Sequence, residues 1–485
     1  MNLEPVFSEL LVSSLQKWSA RKVDECILSI SVPVSQTDPL TSLPLIAEKH
    51  QFRFLWDLSP GLCLSAGGYC QSLDLSGPKR FENAQRFSDE IFTRLIDISP
   101  SPAFSASRIL FSFSFFDQIK SNEKSIDDKF SLQAVLPKWQ LTAKDGLTWL
   151  RLNSVAQNPS DVREAIERLW LIREKINRSL VQIVNDEKEN FLVDNFSDDW
   201  KSQYRDALAK GIELINAGDL DKLVLATRQR LSLRKPLDPL NLLARLRVQQ
   251  TNSCRFLWQK NHEESFFGAS PERLISLNQN QLLIDALAGT AKKGDDGKEL
   301  LASSKDLREH HFVVNSIIEQ LLKKGIKASY SSKPKLITQG HLIHLHTLIQ
   351  ASVKEKAPLD LVEALHPTPA VAGLPLSKSL SWLRALEPFD RKTYASPIGW
   401  IDKNQNSEFR VAIRYGHVRG NELKLFAGAG LVKGSTVEGE MQEVALKFEV
   451  LRNQLNLDRV NCSNDLLGNQ LLDLLKEHSL DFLLL

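Results

Sequence analysis

Two short segments of the sequence each place two carboxylates three residues apart. Asp306 and Glu309 stand in DLREH, while Glu440 and Glu443 stand in EGEMQEVALK, where Lys447 follows one helical turn later. This spacing puts both carboxylates of a segment on one face of a helix. Four such side chains can hold a hard cation such as Mg²⁺, which completes its shell with water and substrate. Two solvated helix faces, one with an ordinary Glu443–Lys447 pair, are the alternative.

Two further residues have types suited to proton transfer. Lys222 begins the apolar segment KLVLATR, and Glu272 follows a predicted strand and a proline in GASPER. A buried, uncharged lysine can act as a general base, and a carboxyl group in a cleft can act as a general acid. From spacing alone, a surface lysine that flanks a strand and a glutamate in a turn are the more common structures. The sequence leaves both alternatives open at this point.

Glycines and polar residues interrupt several apolar runs. Gly289-Thr290 ends one predicted strand and Gly430 lies late in another, where glycine marks a bulge or lets backbone N–H groups approach an anion. His344 and Arg414 lie within predicted strands, where each side chain needs a partner. For Arg414 the natural partner is a carboxylate, supplied either by a ligand or by the protein.

Composition places the function in a local site rather than in an overall charge. The 485 residues are 42% hydrophobic and 25% charged, which is enough to bury a large core without disulfides. Lys plus Arg number 61 and Asp plus Glu 59, so a net charge of +2 gives no field suited to nucleic acid or to an anionic membrane. We expect neither as a partner.

Cysteine usage and the N-terminus predict a cytoplasmic protein. The five cysteines form no CxxC pair and no metal-binding spacing, so we expect reduced thiols. The N-terminus lacks a basic region ahead of an apolar stretch, and no apolar run of about 18 residues occurs.

Hydrophobic periodicity predicts an α+β fold, with strands and helices mixed but without strict βαβ alternation. Segment 365–375 is too rich in proline to be regular and is interpreted as an ordered loop. The predicted strands are 26–34, 109–116, 222–233, 255–258, 265–269, 274–277, 282–287, one near 336, 342–351, 394–400, 410–418 and 423–431. The predicted helices are 161–190, 200–217, 239–247, 303–324 and 437–455.

Taken in order, these segments resemble the chorismate-utilising enzyme family, which includes isochorismate, salicylate, anthranilate and aminodeoxychorismate synthases. The resemblance is strong from Lys222 to Lys447, through KLVLATR, GASPERL, ALAGT, DLREH, HLHT, HPTPAVAGLP, YASPIGW, VAIR, FAGAG and EGEMQEVALK. It implies two stacked antiparallel sheets with flanking helices and a site in a cleft. We therefore expect a single domain over residues 1–457, with a divergent N-terminal region (residues 1–195) and a catalytic region (residues 196–457), followed by an extension over residues 458–485.

The resemblance also implies roles for residues at matching positions. Glu309 and Glu443 would bind Mg²⁺, with Asp306 and Glu440 nearby, although Glu is common where this chain has Asp306. Lys222 would be the general base and Glu272 the general acid. The residues implied around the substrate are Gly289, Thr290, His344, Ala370, Tyr394, Arg414, Gly430 and Lys447.

Two positions bear on the nucleophile within this family. Family members that deliver ammonia are similar in having Gln where this chain has Lys222, because ammonia needs no base. Water must lose a proton to attack the ring, so Lys222 favours water as the nucleophile. Aminodeoxychorismate synthases have a lysine immediately before the Gly-Thr pair, where this chain has Ala288. The resemblance therefore implies formation of isochorismate from chorismate, with water attacking C2 and the C4 hydroxyl leaving.

Several alternatives stay open at this level. Salicylate synthase, which forms the same intermediate and then expels pyruvate, is the second candidate, and anthranilate synthase component I is the third. A catalytically inactive scaffold protein is a candidate from another class. The resemblance favours quinone synthesis, of menaquinone or phylloquinone, while siderophore and salicylate routes stay open. We expect no amidotransferase subunit, and either a monomer or a homodimer.

Overall fold

The computed structural model describes residues 5–21, 25–119, 130–179, 193–197, 199–292, 297–340, 342–354 and 357–455. The helices within these ranges are α1 Pro5–Ser19, α2 Pro39–Ile46, α3 Arg80–Arg94, α4 Pro159–Arg178, α5 Trp200–Asn216, α6 Pro239–Gln249, α7 Lys298–Ala302, α8 Ser304–Lys323, α9 Pro358–Leu365, α10 Leu376–Leu386 and α11 Val437–Arg452.

The strands in the same ranges alternate with these helices without a regular order. They are β1 Cys26–Val34, β2 Arg53–Asp57, β3 Cys63–Leu75, β4 Leu95–Asp97, β5 Arg108–Phe113, β6 Leu132–Lys144, β7 Leu147–Ala156, β8 Val193–Phe196, β9 Lys222–Leu233, β10 Cys254–Gln259, β11 Glu264–Ser270, β12 Arg273–Asn278, β13 Gln281–Lys292, β14 Ala328–Tyr330, β15 Lys335–Gln339, β16 Leu342–Ser352, β17 Gly373–Leu374, β18 Pro397–Asp402, β19 Ser407–Val411, β20 Tyr415–Arg419 and β21 Glu422–Leu431.

The strands form two sheets that are joined through β6. One sheet continues from β6 through β3, β2, β10, β11, β20 and β21 to β9. The other continues from β6 through β5, β18, β19, β12 and β13 to β16. Among the described strands every pairing is antiparallel except that of β1 with β4. The predicted α+β fold of antiparallel sheets is confirmed, and the two sheets share the strand β6.

Local sequence signals account for the elements that carry the acidic pairs. The Ser303 hydroxyl accepts a hydrogen bond from the Asp306 backbone N–H at the start of α8, and Thr436 caps α11 through the Gly439 N–H. Such caps satisfy N–H groups that have no partner in the first turn. The predicted strand 222–233 has the same bounds as β9, whose first six residues are all buried. A run in which successive side chains are all buried is typical of a strand whose sheet is covered by other elements on both faces.

Two predicted strands are wrong in detail. The segment 394–400 becomes a strand only at Pro397, and Tyr394 lies in the preceding turn. The segment 410–418 is broken between β19 and β20, where Arg414 takes a left-handed backbone conformation with φ +51°. Apolar residues continue through both interruptions, so periodicity alone reads them as unbroken strands.

The domain division stays a prediction. Strands from the N-terminal and catalytic regions share one hydrogen-bonded network, while the extension 458–485 and the end of the predicted helix 161–190 lie outside the described residues. The cysteines within the described ranges, Cys26, Cys63, Cys70 and Cys254, are free thiols. Across the described ranges, every helix is too short or too polar to span a membrane.

Candidate active site

A cleft of about 770 Å³, counted to its open mouth, lies between the two sheets. Its walls come from β9 and β21 of one sheet, from β13 and β16 of the other, and from α8 and α11. The predicted site residues that line it are Glu272, Gly289, Thr290, Glu309, His344, Ala370, Tyr394, Arg414, Gly430, Glu443 and Lys447. Lys222, Asp306 and Glu440 do not line the cleft and lie behind residues that do.

Glu272 and Arg414 occupy two points where the chain crosses directly from a strand of one sheet to a strand of the other. Glu272 lies between β11 and β12, and Arg414 lies between β19 and β20. The crossings are hydrogen-bonded, since the Ala269 N–H donates to the Arg414 carbonyl at 3.2 Å and the Val411 N–H to the Glu272 carbonyl at 3.1 Å. Backbone bonds of this kind fix the positions from which both side chains enter the cleft.

The Glu272 side chain has the electrostatics of a general acid. It is 4% exposed, and burial raises its pKa to about 8 against the opposing charge of Lys222, with a further rise from Asp285. A carboxyl group with such a pKa is largely protonated at neutral pH, so it can donate a proton.

Lys222 is fully buried and its amine lies against Glu309. The Lys222 Nζ is 2.9 Å from Glu309 Oε1, and the Glu309 side chain is 13% exposed. Gly430 makes this approach possible, because a Cβ at position 430 would come within 2.5 Å of Glu309 Oε1 and 3.2 Å of Lys222 Cε. The Lys222 amine therefore lies behind Gly430 and Glu309, which line the cleft.

On α11, the carboxylates also have lysine partners. Lys447 Nζ is 2.6 Å from Glu443 Oε1 and donates to the Gly428 carbonyl at 2.7 Å. Although burial favours the neutral form of Glu443, Lys447 and its hydrogen bond hold the pKa of that carboxyl below its ordinary value. Glu440 is 1% exposed, and Lys305 Nζ of α8 lies 2.8 Å from its Oε1. The two acidic helices are thus connected by an ion pair.

His344 lies between Arg414 and the Gly289 bulge. Its Nδ1 is 3.0 Å from the Gly289 carbonyl, and Thr290 Oγ1 is 3.3 Å from the same nitrogen. Burial, together with the charge of Arg414, lowers the pKa of His344 to about 3, so the ring is neutral. Because a carbonyl only accepts, Nδ1 carries the proton and Nε2 accepts from Arg414 Nη2 at 3.4 Å. Arg414 is thereby oriented by a neutral acceptor rather than by a carboxylate of the protein.

Of the two interpretations offered for Gly289, a β-bulge or a close backbone approach to an anion, the structure confirms the β-bulge. The register of β13 against β16 shifts between Ala288 and Thr290, and Gly289 has φ +71°. This is a β-bulge, in which glycine supplies the left-handed conformation. A Cβ there would lie 3.4 Å from the Asp306 Cβ, which places the start of α8 directly behind the bulge.

An aromatic pair and a buried ion pair form the remaining wall. The Tyr394 ring stacks on Phe426 with centroids 5.2 Å apart, and burial raises its pKa to about 12. Arg391 donates to Glu387 Oε2 at 2.8 Å and to the carbonyls of Val371 and Val224 at 2.7 and 2.6 Å. Sequence reasoning missed Arg391 and Glu387, although their i,i+4 spacing is visible in the sequence.

The carboxylates fit a cation that needs few protein ligands. Within the described residues, no three His, Cys, Asp or Glu side chains are grouped closely enough to hold a metal, so the site has no closed cage. Mg²⁺ uses one or two carboxylates and keeps water and substrate oxygens. Glu309 and Glu443 both line the cleft, and Glu440, toward which Ser435 donates, has a buried Oε2 without a hydrogen bond of good geometry. The donor set therefore suits Mg²⁺.

A sequence profile described as chorismate binding enzyme matches residues 13–456. The chain belongs to the chorismate binding enzyme family. Isochorismate synthase MenF of Bacillus subtilis (strain 168) is 28% identical over 477 residues, which are 94% of this chain and 99% of that protein. The salicylate biosynthesis isochorismate synthase of Pseudomonas aeruginosa is 35% identical over 265 residues, 53% of this chain and 54% of that protein.

Solved structures agree with the family at the level of the fold. The structure of MenF, the menaquinone-specific isochorismate synthase from Escherichia coli, matches with a TM-score of 0.72 and 25% identity, covering 92% of this chain and 100% of that chain. Anthranilate synthase component I from Streptococcus pneumoniae matches with a TM-score of 0.67 and 16% identity, covering 81% and 92%. The second likeness bears on the fold alone.

Proposed function

We propose that this chain is an isochorismate synthase, an isomerase that converts chorismate to isochorismate. The observation that carries the proposal is a buried amine and a buried carboxyl group beside one cleft: Glu272 lines it, and Lys222 lies against its lining residues Glu309 and Gly430. The pKa of Glu272 near 8 gives it a proton to donate at neutral pH. The fully buried Lys222 supplies the base that attack by water requires and attack by ammonia does not.

The cations of the cleft suit a substrate with two carboxylates. Arg414 enters at a chain crossing and is held by the neutral His344, so its guanidinium has donors left for a ligand carboxylate. Lys447 supplies a second positive charge, and the Gly289 bulge and Gly430 let a ligand approach the backbone closely. These donors orient the chorismate ring between Lys222 and Glu272.

The proton transfers then follow from the positions of the two groups. The Lys222 amine, acting as the base, removes a proton from the water that forms a bond to C2, and the ring double bond shifts as the C4 oxygen leaves. Glu272 gives its proton to that oxygen, which departs as water. One water enters and one leaves, so the hydroxyl group moves from C4 to C2 without a net change in atoms.

We propose that Glu309 and Glu443 hold Mg²⁺, with Asp306 and Glu440 behind them. Bound Mg²⁺ supplies a Lewis acid that anchors and polarises a substrate carboxylate. The residues of the chain do the rest: Lys447 fixes Glu443 on one side, and Lys222 fixes Glu309 on the other.

Quinone synthesis is the pathway that we propose for the product. The B. subtilis MenF and the menaquinone-specific E. coli enzyme match nearly the whole chain. The match to B. subtilis MenF over 94% of this chain and 99% of that protein supports a menaquinone-type enzyme.

Product analysis tests the proposal. The purified chain is incubated with chorismate and Mg²⁺, and the products are separated by chromatography. We expect isochorismate without pyruvate. Stoichiometric salicylate and pyruvate would instead identify a salicylate synthase, and a product that forms only with ammonium would identify an anthranilate-type enzyme.

A further inference from the structure

Lysines within the protein already pair with three of the four carboxylates of the proposed metal site. The three ion pairs are Lys222–Glu309 at 2.9 Å, Lys305–Glu440 at 2.8 Å and Lys447–Glu443 at 2.6 Å. A divalent cation that enters this set meets the ammonium groups of Lys305 and Lys447, and the amine of Lys222 that the proposed mechanism uses as a base. Since like charges repel strongly in a poorly hydrated site, binding of the cation depends on how readily one lysine can give way.

Lys305 differs from the other two lysines in its freedom to move. Lys222 is fully buried, and the Lys447 side chain is 16% exposed and also bonded to the Gly428 carbonyl. The Lys305 side chain is 33% exposed, and Glu440 is its one hydrogen-bond partner among the described residues. Its ammonium can therefore move into solvent by breaking a single contact.

Glu440 is suited to accept a cation in place of Lys305. The residue is 1% exposed, and Lys305 contacts its Oε1. Ser435 also donates toward this carboxyl group, while Oε2 is buried without a hydrogen bond of good geometry. Lys305 belongs to α8 and Glu440 to α11, so this contact joins the helices that carry Glu309 and Glu443. The charges of both those residues also act on Lys305.

We propose that Lys305 is the resident counter-ion of this carboxylate set and that it gives up Glu440 when Mg²⁺ binds. The inference rests on the magnesium site of the proposed function. In the metal-free protein, Lys305 holds α8 and α11 together. On metal binding the ammonium moves toward solvent and the cation takes over the neutralisation of Glu440.

The test is the affinity for the metal in the absence of chorismate. Mg²⁺ binding is measured by calorimetry, and Mn²⁺ binding by electron paramagnetic resonance, on wild type and on Lys305→Met. Removing the ammonium removes the competitor, so we expect Lys305→Met to bind either metal about tenfold more tightly or better. Without metal this variant should melt at a lower temperature than wild type, and Mg²⁺ should raise its Tm by more.

Three further variants make the result specific. Lys305→Arg keeps the charge and should keep the wild-type affinity. Lys323→Met removes a lysine of the same helix whose ion pair with Glu319 is exposed, and should change nothing. Adding Glu440→Gln to Lys305→Met should abolish the gain in affinity, because Glu440 is the group released. Lys305→Gln carries the same expectation as Lys305→Met and replaces it if that variant does not fold.

Unchanged or weaker metal binding in Lys305→Met, with normal binding by wild type, would overturn this inference and leave the magnesium site standing. If wild type binds neither metal, with or without chorismate, the magnesium proposal fails and this inference fails with it.

Discussion

At the scale of single residues, the environment of Glu272 determines how activity should depend on pH. Burial raises the pKa of this carboxyl to about 8, and its proposed role requires the protonated form. We therefore expect kcat/KM to fall about tenfold per pH unit above roughly pH 8, as the proton is lost. The measurement is a pH profile with chorismate at saturating Mg²⁺. A flat alkaline limb to pH 10 would exclude Glu272 as the acid.

Replacing Glu272 tests the same role by another route. Glu272→Gln keeps the shape and cannot donate a carboxyl proton, so turnover should fall by about 10²-fold or more while the protein stays folded. Steady-state kinetics and thermal unfolding measure the two effects. The matched control is Glu263→Gln, which changes an exposed side chain immediately before β11, the strand that precedes Glu272. This variant should keep the wild-type turnover.

Lys222 is the second residue whose loss should affect chemistry. Lys222→Gln removes the base, and we expect turnover to fall by about 10²-fold or more. Because Glu309 then loses its partner, metal binding is measured beside activity, so that a loss of the base can be separated from a loss of the cation. Near-normal turnover in this variant would remove Lys222 from the mechanism. Lys210→Gln, in an exposed pair with Glu213, serves as control.

At the scale of elements, the buried pair of Arg391 and Glu387 holds three segments of the cleft together. Glu387 Oε1 accepts from the Ala226 N–H at 2.8 Å, and Arg391 donates to carbonyls of β9 and of the 366–374 loop. Strand β17 pairs with β9 only at residues 222 and 223. On the same edge of β9, the Arg391–Glu387 pair then satisfies the Val224 carbonyl and the Ala226 N–H. It also sets the position of the turn that carries Tyr394.

Breaking this pair should destabilise the fold. Arg391→Met leaves Glu387 buried and uncompensated, so we expect the free energy of unfolding in urea to fall by about 3–5 kcal/mol. Arg168→Met, which breaks an exposed pair with Glu164 on α4, should cost at most about 0.5 kcal/mol. Equal effects of the two substitutions would contradict the clamping role of Arg391.

The elements also explain how much of the fold could be predicted. The strand β9 and the cap of α8 follow from local signals, an apolar run and a serine ahead of a helical pattern. The break at Arg414 does not, because the residues on both sides of it are apolar and belong to different sheets. A conformation with φ +51° at an arginine is set by the crossing, which is a tertiary feature.

At the scale of the whole molecule, the site depends on contacts between distant segments of the chain. Residues 222, 309 and 430 lie on three different elements, and their close approach follows from the pairing of β9 with β21 and the packing of α8 behind it. The types of these residues were visible in the sequence, and the resemblance to a family suggested their roles. Their ion pairs, and the contribution of Lys305, required the folded structure.

The most direct test of the account is the origin of the new hydroxyl oxygen. In a single turnover of chorismate with the enzyme and Mg²⁺ in H₂¹⁸O, attack by water at C2 predicts that isochorismate carries one ¹⁸O, detected by mass spectrometry. Isochorismate that contains no solvent oxygen would mean that the C4 hydroxyl itself migrates. That result would contradict the pairing of Lys222 as base with Glu272 as acid.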